Sequence, residues 1–142
     1  MDITIKIPTT DEIFAKGISL KVVGENESWS KKFLGDYASK SGVYIHHIPN
    51  KILYVGQTSK EGKWGNYDVR LRRECQPKAA SYSSLYKSLF ANAANAKITM
   101  YHFEEIKEMF SGILKENLSP QRMTLILEQF MIAVYQPIIN IK

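Results

Sequence analysis

Apolar positions along the chain follow two periods. Residues 42–48 and 52–56 are rich in β-branched and aromatic side chains, and the turn signal Pro49-Asn50-Lys51 stands between them, the pattern of a β-hairpin with a short loop. Side chains alternate faces along a strand, so Tyr44, His46 and Ile48 share one side while Val43, Ile45 and His47 share the other. The run K-I-T-M-Y-H-F over 97–103 alternates again and predicts a third strand, and residues 18–23 read as a strand nearer the N-terminus. Helical spacing governs much of the rest: residues 10–16, capped at Thr10-Asp11 and closed by Gly17; 27–38; 67–75, opened by Asn66 or Asp68; 81–96; and 104–117, burying Ile106, Phe110, Ile113 and Leu114. A last helix starts at Ser119-Pro120, is largely buried from Met123 to Tyr135 and ends at Pro137, leaving 138–140 as an extended tail. The expected fold is α/β (α+β): a small three-stranded antiparallel sheet over about 42–48, 52–57 and 97–103, flanked by helices. Residues 1–40 are expected to form an arm packing on a core of 41–142, one domain overall.

Composition narrows the setting. A chain of 142 residues, 44% hydrophobic and 23% charged, is an ordinary globular sequence long enough to bury a core. No apolar run reaches the length of a membrane span, so no membrane partner is expected. The start Met1-Asp2-Ile3-Thr4 lacks the basic-then-apolar order of a signal peptide, and the single Cys75 forms no internal disulfide. No Cys/His cluster has zinc-ligand spacing, and a reduced, cytoplasmic (intracellular) location is the expectation. The net charge of +5 matters because it is local. Lys60, Lys63, Arg70, Arg72, Arg73, Lys78 and Lys87 face only Glu61, Asp68 and Glu74 in that stretch, and the charges elsewhere nearly cancel. Beside Trp64, Tyr67 and Tyr82 such a patch suits a phosphate backbone; a solvated surface helix is the plainer reading.

Candidate chemistry centres on the hairpin. Tyr44 and Tyr54 can meet across it, with Gly42 and Gly56 near the strand ends, where backbone can approach a ligand. Glu128 is the one charge between Met123 and Tyr135, and an ionised carboxylate in apolar surroundings is costly unless paired or bound to a cation. Gly42-Val43-Tyr44 and Tyr54-Val55-Gly56, ten residues from tyrosine to tyrosine, resemble the two halves of the signature of the GIY-YIG nucleases. The segment Y-D-V-R-L-R-R-E over 67–74 resembles that family's arginine helix and places the motif arginine at Arg70. Glu128, then Tyr135-Gln136-Pro137, then Asn140 twelve residues after Glu128, resemble its metal-binding glutamate and proline-containing, asparagine-ended segment. The likeness covers about two-thirds of the chain. Two features depart from it. Tyr54 to Arg70 is sixteen residues, longer than usual, so 59–65 would be an insertion. Glu74 stands where many members have histidine; as a plain surface pair, Arg70 and Glu74 would contribute about 0.3–0.5 kcal/mol.

The resemblance implies a metal-dependent DNA endonuclease that hydrolyses phosphodiester bonds, similar in its compact length to stand-alone phage and restriction-type members. It implies Glu128 as the ligand of one Mg²⁺, with Mn²⁺ able to substitute, and Arg70 as the group that stabilises transition-state charge. Tyr44 is the candidate for activating water and Tyr54 for orienting water or phosphate, the choice of base between them staying open. Asn140 would support Glu128 and nearby backbone, and Glu74 or His46 would assist proton transfer. Lys60, Lys63 and Trp64 in the insertion, with Arg72, Arg73 and Lys87, are candidate DNA contacts. A homo-dimer or homo-tetramer is implied too, because cutting both strands needs two sites. The other classes open to the sequence are a non-catalytic nucleic-acid-binding module of the same fold, which has no need of a buried Glu128, and a sheet-and-helix interaction domain with no affinity for DNA. His46, His47 and His102 all fall on expected strands, where a hydrogen-bonded sheet residue is the ordinary role.

Overall fold

The computed structural model describes residues 2–59, 65–77, 83–112 and 116–140. Its centre is β3 (Gly42–Ile48), paired antiparallel to β4 (Lys51–Thr58) on one side and β5 (Lys97–His102) on the other. The hairpin turns at Pro49 and Asn50, and Asn50 takes the left-handed φ of 62° that asparagine tolerates better than most side chains. β2 (Ile18–Ser19) pairs with the far edge of β5, so the main sheet has four strands in the order β2-β5-β3-β4 rather than the three expected. Pairing is also shorter than the 18–23 expectation: after Ser19 the chain leaves the sheet to bury Leu20 and Val23, whose N–H groups reach Ala96 and Cys75 carbonyls. A second, two-stranded sheet joins β1 (Thr4–Ile5) to β6 (Phe110–Ser111). The class is mixed α+β with two antiparallel sheets.

Helix ends follow their caps. Thr9 and Glu12 form a reciprocal capping box for α1 (Thr10–Lys16), so the cap lies one residue earlier than expected. Asn66 caps α2 (Tyr67–Glu74), and Ser83 caps α3 (Ser84–Ala91), which stops short of the expected 96 where Asn92 turns the chain. His102 ends β5 and caps α4 (Phe103–Met109), its Nδ1 accepting from the Glu104 and Glu105 N–H groups. α4 is shorter than the expected 104–117 because Phe110, 1% exposed, leaves the helix to pair with the N-terminal strand; Ile113 and Leu114 lie outside the described residues. The helix expected over 27–38 is a 3-10 run, Lys31–Ser39, broken at Gly35 with φ 55° and ψ −132°.

Ser119 caps α5 (Pro120–Tyr135) with Pro120 in the first turn, where its missing N–H costs nothing. Only one stripe of α5 is buried (Met123, Thr124, Leu127, Met131), and Leu125, Phe130 and Val134 face outward, which corrects the expectation of a largely buried helix. Beyond it Gln136 turns the chain in a left-handed conformation, and 138–140 form a turn docked on β4 instead of an extended tail. Among the described residues no helix is long and apolar enough to cross a membrane.

Both faces of the sheet are covered. Tyr44, Leu53, Ile98 and Met100 pack with α2, α3 and the 3-10 segment, and Val43, Ile45, Ile52 and Val55 pack with α1, α4 and α5. β3 is therefore buried nearly throughout, which forces its polar side chains to find partners. His47 meets the Thr99 hydroxyl at 2.8 Å, and that hydroxyl donates to the Ile13 carbonyl at 2.6 Å, so the imidazole supplies the proton and the N-terminal arm is tied to the sheet.

Burial, aided by His46 and Lys97, pulls the His47 pKa from 6.5 to about 4. The unfolded chain thus binds a proton that the folded one refuses between those values. Stability present above pH 6.5 is lost as pH falls towards 4. Urea denaturation over that range is expected to show this loss, and His47→Gln, which keeps an N–H donor, to flatten it. An unchanged slope in the variant would place the acid sensitivity elsewhere.

Candidate active site

The site begins with a bulge. Along the hairpin His46 pairs with Tyr54 but His47 pairs with Ile52, leaving Leu53 as an extra residue on β4. One extra residue shifts the alternation of faces by one, so Tyr54 lies with Tyr44 and His46 while Ile52 turns to the opposite core. The Tyr44 and Tyr54 ring centroids are 6.3 Å apart. Gly56 is the register partner of Tyr44, and a Cβ there would collide with the Tyr44 hydroxyl and ring. Its missing side chain is the space through which Tyr44 reaches towards α2.

α2 packs on this face and carries Arg70 and Glu74 one turn apart. Glu74 does not form the i,i+4 surface pair with Arg70 that its spacing allows. It turns inward, accepting from the Tyr44 hydroxyl at 2.5 Å and meeting His46 Nε2 at 2.8 Å. Both strand side chains are 0% exposed, so their polar atoms have no water to turn to. Arg70 is exposed, and its Nη2 donates to the Gln57 carbonyl at 3.2 Å.

Electrostatics links the pieces. Burial, then the Glu74 charge, pushes Tyr44 well above the ordinary phenol value, and Tyr54 is raised by the same two causes in that order. Burial works against the Arg70 charge, but Tyr44, Glu74 and Tyr54 more than offset it and raise its pKa. Glu128 on α5 is half-buried; its pKa is raised by burial and drawn back by Gln129 and Arg70. Its charge is also felt at Tyr54. Tyr44, Tyr54, Arg70 and Glu128 thus stand in one electrostatic neighbourhood, with Glu74 and His46 behind Tyr44.

The remaining sequence candidates divide. Asn140 is hydrogen-bonded to both polar groups of Val55, Oδ1 accepting from its N–H at 2.7 Å and Nδ2 donating to its carbonyl at 2.9 Å. It acts as one rung of an extra strand on the edge of β4, between Tyr54 and Gly56, and it holds backbone rather than Glu128. Arg72 bonds Asp68 at 3.2 Å and lies over the Trp29 ring; Arg73 and Lys87 are exposed. Tyr67 is unavailable to nucleic acid, correcting its place in the patch: it is 0% exposed and its hydroxyl donates to the Val43 and Tyr101 carbonyls. Lys60, Lys63, Trp64, Lys78 and Tyr82 lie outside the described residues. Sequence reasoning missed a cavity of about 190 Å³ between the end of β4 and α2, lined by Gln57, Thr58, Ser59 and Asn66 with Arg70 and Arg73. Gln57-Thr58-Ser59 is an ordinary polar stretch and carries no signal of it.

Among the described residues no group of three or more His, Cys, Asp or Glu is placed to hold a metal ion. Glu128 offers a single carboxylate whose one hydrogen bond there is from Gln129 at 3.2 Å. That donor set fits a hard ion keeping most of its waters, as Mg²⁺ does, and not a zinc site. The chain matches no known protein family, no curated protein and no solved structure.

Gly56→Ala is expected to destabilise the fold by about 1–3 kcal/mol through overpacking against Tyr44. Chemical denaturation measures this, and a loss under a few tenths of a kcal/mol would mean that the Tyr44 ring has room to move.

Proposed function

We propose that the protein is a metal-dependent endonuclease that hydrolyses DNA phosphodiester bonds, with the fold of the GIY-YIG nucleases. What supports this reading is that Tyr54 and Arg70, beside the buried Tyr44–Glu74–His46 cluster, are both electrostatically coupled to Glu128 on a third element. A phosphate-binding module has a use for Arg70 but none for Glu128, because a carboxylate beside a phosphate repels it unless a cation lies between.

Arg70 presents a permanently charged, planar fork at the mouth of the site, suited to phosphate oxygens and to the charge that grows on them in the transition state. Tyr54, half-exposed and coupled electrostatically to Arg70 and Glu128, orients the attacking water. Asn140 fixes the β4 backbone that carries Tyr54. Glu128 would hold one Mg²⁺ or Mn²⁺, which when bound supplies charge neutralisation at the phosphate and a more acidic water. Arg73 and the cavity beside Arg70 suit a flanking phosphate; Arg72, Lys87, Lys60, Lys63 and Trp64 stand as candidate DNA contacts by residue type, the last three outside the described residues.

Plasmid DNA with Mg²⁺ or Mn²⁺ tests this. The wild type is expected to nick or linearise it, and Arg70→Ala and Glu128→Gln to cut at least about 100-fold more slowly while still binding. Glu128→Gln should not lose stability. Its raised pKa means that ionising Glu128 opposes folding as pH rises, so a neutral amide leaves stability at neutral pH equal or higher. A wild type inactive with both ions, or a Glu128→Gln protein that cuts at the wild-type rate, would sink the reading.

A further inference from the structure

Tyr44 is a poor terminus for a proton. Its burial and the Glu74 charge beside it hold the phenol proton on, so free phenolate is scarce near neutral pH. Its hydroxyl is already committed to Glu74 Oε2 at 2.5 Å. A proton arriving at the Tyr44 oxygen must therefore be matched by one leaving it, and Glu74 is the carboxylate placed to receive it.

The other oxygen of Glu74 is held by His46. A carboxylate has no proton to give, so His46 Nε2 donates across the 2.8 Å contact and the ring is in the Nε2–H form. Nδ1 is then a buried acceptor with no partner among the described residues. Protonating it would leave a buried N–H without an acceptor, which costs more than the vacant lone pair. The ring lies against Tyr44 and Tyr54, with centroids 5.4 and 6.0 Å away, and its orientation is the one that brings Nε2 to Glu74. The charged and titratable neighbours of this pair are Tyr44 and Tyr54 from the hairpin, Arg70 and Cys75 from α2 and its end, His47 beside it on β3, and Glu128 acting at Tyr54 from α5.

We propose that Glu74 is the terminal proton acceptor of the hydrolysis, reached through the Tyr44 phenol, and that His46 is the positioning residue that aims it. This rests on the nuclease reading above. Water gives one proton to the Tyr44 oxygen as Tyr44 passes its own to Glu74 Oε2. The hydroxide oxygen bonds to phosphorus, the bond from phosphorus to the leaving sugar oxygen breaks, and that oxygen takes a proton from solvent water. Glu74 then returns its proton through Tyr44 to the hydroxide so formed, restoring the site. Tyr44 is buried, so the relay requires that Arg70, which holds the Gln57 carbonyl and interacts with the Tyr44 hydroxyl, move outward to the phosphate and admit the water.

The test compares Glu74→Gln, Tyr44→Phe, His46→Gln and His46→Leu in Mg²⁺-dependent plasmid cleavage over a pH series, with nitrogen NMR of the histidines. Glu74→Gln and Tyr44→Phe are expected to lose about 100-fold or more in kcat with KM little changed. His46→Gln, whose amide can still donate to Glu74, stays within about tenfold, whereas His46→Leu falls further and moves the acid limb of the rate profile to higher pH, because the carboxylate loses a donor. The NMR spectrum is expected to show His46 protonated at Nε2 whether or not the protein cuts. If Glu74→Gln fails to fold, Tyr44→Phe decides, since it keeps the ring and leaves the His46–Glu74 contact in place. Folded Glu74→Gln or Tyr44→Phe cutting within a few-fold of wild type overturns the relay alone, provided Glu128→Gln is inactive. A wild type that never cuts overturns it together with the nuclease reading, and a His46 without a proton on Nε2 overturns the part assigned to His46.

Discussion

β3 carries a tyrosine and two adjacent histidines through the middle of a sheet covered on both faces. Burying polar side chains there is tolerable only if each finds a partner, since an unmet donor or acceptor costs about 1–3 kcal/mol. The partners come from different elements and tie them together. His47 reaches Thr99 on β5 and, through it, the Ile13 carbonyl of α1; Tyr44 and His46 reach Glu74 on α2. The docking of α1 and α2 is in this sense dictated from the central strand, and the geometry of the candidate site is a by-product of satisfying it.

Two local devices make that satisfaction possible. Without the Leu53 bulge, Tyr54 would lose the phase that keeps it beside Tyr44 and His46 while Ile52 fills the opposite core. Without a glycine at 56, the Tyr44 hydroxyl would not reach α2 across β4. A glycine in a strand usually weakens it, yet here it is the receptacle for a ring. The same argument applies at Gly42, where a Cβ would strike the Tyr101 carbonyl and the Tyr67 hydroxyl that hydrogen-bonds to it.

Much of this frame was legible in the sequence wherever a residue has one strong local use. Asn50 in its turn, Asn66 at its cap and Ser119-Pro120 at the start of α5 work through their own backbone chemistry. What escaped depends on distant partners. A bulge at Leu53 leaves no compositional mark, because leucine suits either face. The two-residue strands β2 and β6 exist only because β5 and β1 run beside them, and Phe110 fits a helical stripe as well as a strand. The apolar richness of α5 overstated its burial, since apolar side chains such as Phe130 and Val134 are common on surfaces. At the site, the residue types were readable but not the direction of Glu74: spacing alone allows a pair with Arg70, and the competing attraction of two buried donors on β3 becomes visible only once α2 is docked.

The two carboxylates near Tyr54 differ in a way that bears on what the site can do. Both oxygens of Glu74 are engaged by buried donors, so its negative charge is part of what holds helix to sheet. Glu128 is half-buried, carries one long hydrogen bond from its sequence neighbour Gln129, and has its pKa raised by burial and only partly drawn back. A structural carboxylate is expected to look like the first. The second is a charge the fold bears at some cost, coupled electrostatically to Arg70 and Tyr54. A neutral side chain of the same size would serve the packing of α5 better. On the proposed reading that cost is offset by a cation, and by the phosphate that the cation and Arg70 would hold together.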